Sequence, residues 1–564
     1  MFNFEPNSFR MHCCAKSLTG FLLLFILAEM FVACRSVDNY DSDGLKIFRY
    51  NEPSGIVSLD PAYAKDLPHI WACNQLYNGL VALSPDLDIV PSVAKEWEVS
   101  EDGLEYTFYL RNDVYFHDDQ IFNGSRRKVT AHDFVFSFNR LMSPELSSPG
   151  IWIFNQVEKS DGQFGFEALS DTVLVIRLKT RFPPFLGMLT MPYASVLSQE
   201  ALDFYGGDYR RNPVGTGPFR FRYWKEGVKL VLVKNEHFFE FSNGVRLPLL
   251  DGVSISFLTD KQIAFMEFAK GELDFMSGID VRYKDELLTR TGKLRPKYEG
   301  RIKLYRQPYL NTEYLGILLG DENESPMHSL KFRQAINYAI DKEKLIRFLR
   351  NGIGRPGHYG MIPPGLPGFN ELAGYGYSYN PDLARKLLLD SEYKNHTITL
   401  TTTADYADIA KYVQAQLEVL GINCRIEISP AAMMRELRAK SKLEFFRSSW
   451  VADYPDAENY MSLFYSMNKA PDGPNYTHFS NKSFDSLYEA SMRELNPAAR
   501  ELIYAQMDSI AMADAPVVIL FYDEVLRFVH PRIVNLGSNP INLLDLKFTD
   551  IDSDEVNLSL NAEE

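Results

Sequence analysis

Cysteine is scarce in this chain: five in 564 residues, of which only Cys73 and Cys424 follow position 34. No CxxC pair occurs, which excludes the usual thiolate metal patterns, and the wide spacing demands no disulfide, so two buried free thiols are the plain expectation. The ten histidines are scattered singly, without H-E-x-x-H or any other metal-ligand spacing. A G-x-S-x-G elbow and a P-loop are also missing, which leaves no nucleophile motif or phosphate cradle for a hydrolase or nucleotide enzyme. His117, ahead of Asp118-Asp119, reads as a solvated cap at the end of an aromatic strand rather than a metal ligand. No internal repeat and no low-complexity linker is present. Basic runs are lacking too: the net charge of −15 is spread along the chain, which argues against nucleic acid or another polyanion as partner.

The chain is 46% hydrophobic and 13% aromatic, enough for a large core in several domains or one bilobed body. Its one long apolar run lies near the start. Lys16 follows a start-like Met11, Gly20 to Ala28 is apolar, and small residues precede Cys34, the pattern of a bacterial lipoprotein export signal. About a dozen apolar residues broken by Glu29 fall short of a ~20-residue span, so cleavage with lipid attachment at Cys34 is expected, an uncleaved anchor being the alternative. After Cys34 no stretch is apolar enough to cross a bilayer.

Along the body, strands and helices alternate, which gives an α/β class. A strand and loop occupy Leu45 to Leu59, and a helix is expected over His69 to Leu80, closed by Gly79. Tyr106, Phe108 and Leu110 alternate with Thr107, Tyr109 and Arg111 as a half-buried strand, and a second such strand lies between Ser170 and Leu178. Thr130 caps a helix running to Leu141. Gly215 to Phe219 reads as a tight turn that needs positive φ, ahead of strands at Phe219 to Trp224 and Lys229 to Lys234. Further helical patterns cover Phe332 to Arg350, Pro381 to Leu389, Tyr406 to Leu420, Met433 to Lys440 and Ala498 to Met512.

Several segments carry a family likeness when taken together and in order. They are Asn51-Glu52-Pro53 through Ser58-Leu59-Asp60-Pro61, Pro91 to Phe108 (PSVAKEWEVSEDGLEYTF), Val129 to Ser137 (VTAHDFVFS), the Gly215 to Phe219 turn, Arg333 to Lys342 (RQAINYAIDK), Tyr379-Asn380-Pro381-Asp382, and Ser449-Trp450-Val451-Ala452-Asp453-Tyr454. Spanning about Leu45 to Val534, they resemble the dipeptide and oligopeptide substrate-binding proteins of ABC importers, solute-binding family 5, with the oligopeptide branch nearest in character. The resemblance implies a periplasmic-binding-protein fold: two lobes joined by a two-stranded hinge, with a small domain inserted in the first. Carried over, the chain divides into a signal (1–33), a tether (34–44), lobe I (45–78, 201–310 and, with the C-terminal tail, 524–564), the inserted domain (79–200) and lobe II (311–523). It further implies a binding protein rather than an enzyme. Such a protein needs no cofactor, acts as a monomer in the periplasm or at the cell surface, is held to the membrane by lipid on Cys34, and delivers peptides to permease subunits.

A receptor for varied peptides must bind what peptides share, which is a backbone, an ammonium and a carboxylate. By the resemblance, Asp453 supplies the acid for the ligand's α-amino group, since a buried ammonium without a counter-charge loses several kcal/mol of hydration. Arg447 and Arg438, six and fifteen residues earlier, match arginines that meet a ligand carboxylate, for which guanidinium offers a planar fork. Trp450 would wall the pocket for the first side chain. Lys65, Asp66 and Leu67 fall in a ligand-facing loop of lobe I, and Trp152 or Phe154 is the aromatic contributed by the inserted domain. Lys65 stands where the oligopeptide proteins tend to carry an acid, and Asp405 lies near a position that holds a histidine, so two cleft charges are inverted. That departure favours a restricted cargo: glutathione, a murein peptide and a short acidic peptide are all compatible. A surface peptide hydrolase and a chaperone-like lipoprotein remain the other classes, separated from a receptor by turnover and by the absence of a specific ligand, respectively.

Overall fold

The computed structural model describes residues 44–552 except 281–282, 320–324, 373 and 392. The export signal, Cys34 and the last residues of the tail lie outside the described residues.

An eleven-stranded mixed sheet runs through the body. At one end Phe219–Lys225, Lys229–Lys234, Gly252–Ser256, Ile47–Asn51 and Phe275–Ser277 follow one another, and at the other lie Phe445–Val451, Ile398–Thr402 and Cys424–Ile428. Between them sit two long antiparallel strands, Lys303–Ile317 and Val517–Val529, paired from Lys303↔Val529 to Gly316↔Val517. These two strands are shared by both halves of the molecule. Their register breaks between Pro308 and Thr312, where Pro308 has no N–H to give the ladder. A separate four-stranded sheet, in the order Ala94–Val99, Glu105–Leu110, Val173–Arg177, Phe166–Ser170, packs against the helix Ala131–Leu141. Its apolar face merges with the core around Phe48 and Tyr50, whereas separate cores form around Tyr460 and Met507 and around Phe332 and Phe445.

The alternation Tyr106, Phe108, Leu110 is buried on one face, as its period requires. Thr130 and Asp133 form a capping box at the start of the Ala131–Leu141 helix. The pattern expected as one helix from Phe332 to Arg350 is two, Leu330–Ala339 and Lys342–Leu349. Ile340 is extended, and Asp341 caps the second by accepting from Lys344 N at 3.0 Å, so a local cap outweighs continuous periodicity. The helix expected from His69 to Leu80 spans Leu67–Leu76 and stops because Tyr77 is extended, three residues ahead of where Gly79 was to close it.

The Gly215–Gly217 segment adopts no positive φ. Its glycines serve close approach instead: a Cβ would lie 2.0 Å from Leu76 O at Gly215 and 2.5 Å from Gln75 O at Gly217. Without side chains the segment lies on the end of the Leu67–Leu76 helix, where Gly217 N–H donates to Leu76 O at 2.9 Å. His117 is part of that packing rather than a solvated cap. It is buried, Nε2 donates to Gly217 O at 3.0 Å and Nδ1 accepts from Gly215 N at 3.3 Å, and burial pushes its pKa down to about 4, so it is neutral. Cys73 and Cys424 are buried and free.

Candidate ligand-binding site

A cavity of about 230 Å³ opens where the Asp453 loop faces the segment before the Leu67–Leu76 helix. Lys65, Asp66 and Leu67 line it together with Val451, Ala452 and Asp453, and Tyr309, Thr190–Pro192 and Leu543 are also part of the wall. Two groups expected from widely separated parts of the chain are thus brought together. Asp453 follows the strand Phe445–Val451 directly, which delivers it to the edge of the cleft. The carboxylate is open to solvent at the mouth but surrounded by protein on its other sides. That crowding pushes its pKa up to about 6, and a hydrogen bond from the Asn459 amide opposes the rise. Asn459 is itself buried and oriented, because Trp450 Nε1–H donates to its Oδ1 at 2.6 Å and so turns the amide nitrogen to Asp453. Trp450 therefore acts through a hydrogen bond as well as through its ring. Asp453 forms no ion pair among the described residues, nor does Lys65 Nζ.

Asp66 is exposed and doubles as the helix cap: its Oδ1 accepts from His69 N at 3.4 Å and contacts His69 Nδ1. Tyr309, on the long strand Lys303–Ile317 at its register break, has its phenol raised by burial and by the nearby Asp523 and Asp453 carboxylates, which keeps it neutral.

Arg447 does not offer a free fork. It forms a bidentate pair with Glu313, Nη2 to Oε2 at 2.7 Å, and its guanidinium lies 3.5 Å over the Tyr406 ring. Glu313 is buried; burial pushes its carboxyl up and Arg447 holds it down. Two acids near it in sequence, Glu444 and Asp456, are engaged elsewhere, with Ser325 and with Arg500 and Tyr504. A second pair, Arg350 with Asp523 at 2.5 Å, stands beside the first, with Arg350 4.0 Å over Phe521. Arg438 donates to Ser448 Oγ at 2.6 Å and stacks at 4.5 Å over Tyr476. Asp405 is exposed in the short turn Ala404–Tyr406.

The two aromatics of the short helix Ile151–Phe154 separate. Trp152 is half-buried with its ring 6.2 Å from Tyr454, next to Asp453 in sequence. Phe154 is corrected from a ligand contact to a core residue: it is fully buried, with ring centroids 4.7 Å from Phe138 and 5.0 Å from Phe166. The short helix Ile151–Phe154 turns it inward. Asn459, Tyr309, Thr190–Pro192 and Leu543 were not anticipated. Asn459 lies six residues beyond Asp453 with no motif of its own, and the others reach the cavity only through tertiary folding.

The family model of the bacterial extracellular solute-binding proteins, family 5, matches residues 88–472. The glutathione-binding protein GsiB of Salmonella choleraesuis is 26% identical over 483 residues, 84% of this chain and 88% of the relative. The dipeptide-binding protein of Escherichia coli K12 is 25% identical over 488 residues, covering 83% and 87% of the two chains. Among solved structures, HbpA2 from Haemophilus parasuis superposes with a TM-score of 0.76 at 22% identity, over 90% of this chain and 99% of that one, which establishes the two-lobe fold. With the family model matching more than half its length, this chain belongs to the bacterial extracellular solute-binding proteins of family 5.

Proposed function

We propose that this protein captures a peptide or peptide-like ligand between its lobes and delivers it to the permease of an ABC importer, without catalysis. The observation that carries this reading is Asp453: an acid at the cleft, oriented by Asn459 and left without a cationic partner, is a counter-charge waiting for an ammonium. The relatives named for glutathione and for dipeptides have cargoes of this chemistry. A ligand touching both lobes stabilises the closed state in proportion to its preference for it, and the closed surface is what a permease can distinguish. The lobe boundaries follow the sequence division, with the Lys303–Ile317 and Val517–Val529 strands as hinge. Lipid on Cys34 would keep the monomeric body beside its transporter.

A receptor specialised for one small cargo is the second reading, favoured by the Lys65 and Asp405 inversions. Native mass spectrometry of the purified protein, followed by acid release of what co-purifies, separates the two. A ladder of short peptides supports a general receptor, and one discrete small molecule supports the specialised one. A ligand with no amino group contradicts both.

A further inference from the structure

Lys65 and Asp453 line one small cavity, and neither forms an ion pair among the described residues. Asp66, adjacent to Lys65, is committed to the helix N-terminus and to His69. At the other end of the Phe445–Val451 strand, Arg447 is held by the buried Glu313 and covered by Tyr406. A ligand carboxylate arriving at Arg447 would have to separate an existing ion pair and strand Glu313 as an uncompensated buried charge. From this arrangement we infer that the cargo is a small zwitterion of about dipeptide size, its ammonium on Asp453 and its carboxylate on Lys65, with Glu313 withholding Arg447 from the ligand. The inference rests on the peptide-capture reading above and narrows it.

Spacing limits the length of the cargo. Four residues of strand separate Arg447 from Val451, about 13 Å at ~3.3 Å per residue. A peptide with its ammonium on Asp453 and its carboxylate on Arg447 therefore needs about four extended residues, and with Arg447 held by Glu313 that length has no second anchor. Because Lys65 precedes the Leu67–Leu76 helix and Asp453 follows the Phe445–Val451 strand, one zwitterion would tie both halves of the molecule together through its two charges.

The test is calorimetry on the purified full chain with three probes: Ala-Phe, its C-terminal amide and tetra-alanine. Three proteins are compared: wild type, Lys65→Met, and the double variant Glu313→Gln/Arg447→Gln, which removes the buried pair together so that no lone charge is left to unfold the protein. Expected are binding of Ala-Phe to wild type and a loss of about tenfold or more on amidation. In Lys65→Met the acid and amide forms should bind alike, whereas in the double variant the discrimination should persist. Discrimination that survives Lys65→Met but vanishes in the double variant overturns the inference and leaves peptide capture standing. Equal binding of acid and amide to wild type, or tetra-alanine bound with Ala-Phe rejected, overturns it as well. Rejection of all three probes overturns both the inference and the peptide reading.

Discussion

Lowering the pH from 7 to 5 should release the ligand, and Asp453 sets the size of the effect. An ammonium gains nothing from a protonated carboxyl, so affinity follows the ionised fraction of the free protein's Asp453. With its pKa held near about 6 by crowding protein, that fraction is about 0.9 at pH 7, about one half at pH 6 and about one eleventh at pH 5. Affinity should therefore fall about twofold from its plateau at pH 6 and about elevenfold at pH 5, the latter equal to ~1.4 kcal/mol. The exposed face of the carboxylate admits water and keeps the midpoint from rising further. The sign is fixed by the direction of the shift: binding favours the ionised form, so the ligand lowers the bound-state pKa and capture near pH 6 ejects about half a proton. Calorimetry in two buffers of different ionisation enthalpy reads that proton directly, and a titration from pH 8 to 5 reads the affinity. In Asp453→Asn the affinity should drop by more than about tenfold and lose its dependence between pH 7 and 5. A flat profile in wild type, or the same slope retained in Asp453→Asn, would refute the reasoning.

Three other expectations concern the scaffold. Phe154→Ala should cost about 3–5 kcal/mol of stability by leaving a cavity among Phe138, Phe166 and Phe185, while ligand affinity of the folded fraction stays within about twofold; denaturant melts and calorimetry separate these. Gly217→Ala should destabilise by about 1–3 kcal/mol or more, because its Cβ would meet the Gln75 carbonyl at 2.5 Å and neither backbone can yield cheaply. Lys342 is buried, donates to Gly357 O at 2.6 Å and Tyr377 O at 2.9 Å, and has its pKa pushed down to about 7 by burial alone. Its unfolded form keeps the proton up to about pH 10, so stability should rise with pH between 7 and 9, a trend that Lys342→Met removes in melts across that window.

The sequence carried what depends on local order and failed where distant segments meet. Alternation at Tyr106–Leu110 and the Thr130 cap are periodic or adjacent signals, and the structure has both. Gly215 and Gly217 look like any turn glycines; that they lie against a helix end over 130 positions earlier is settled only by packing. Asp341 is both a residue compatible with a continuing helix and a good cap, and nothing local decides between the two. At the site, Asp453 was legible because its segment bears a family pattern, but Asn459 and Tyr309 sit in no pattern. Arg447 shows the limit most clearly. The family resemblance implies that it meets a ligand carboxylate, while Glu313, 134 positions away, supplies one from within the protein. Phe154 and Trp152 differ by two positions in sequence, and the turn of one short helix sends one to the core and the other toward the Asp453 loop.

A crystal structure of the protein with its co-purified ligand tests the central claim most directly. The account predicts a ligand amino nitrogen within hydrogen-bond distance of an Asp453 oxygen, enclosed by residues of both lobes. A ligand seated elsewhere, or one that turns a carboxylate or an apolar group to Asp453, would contradict it.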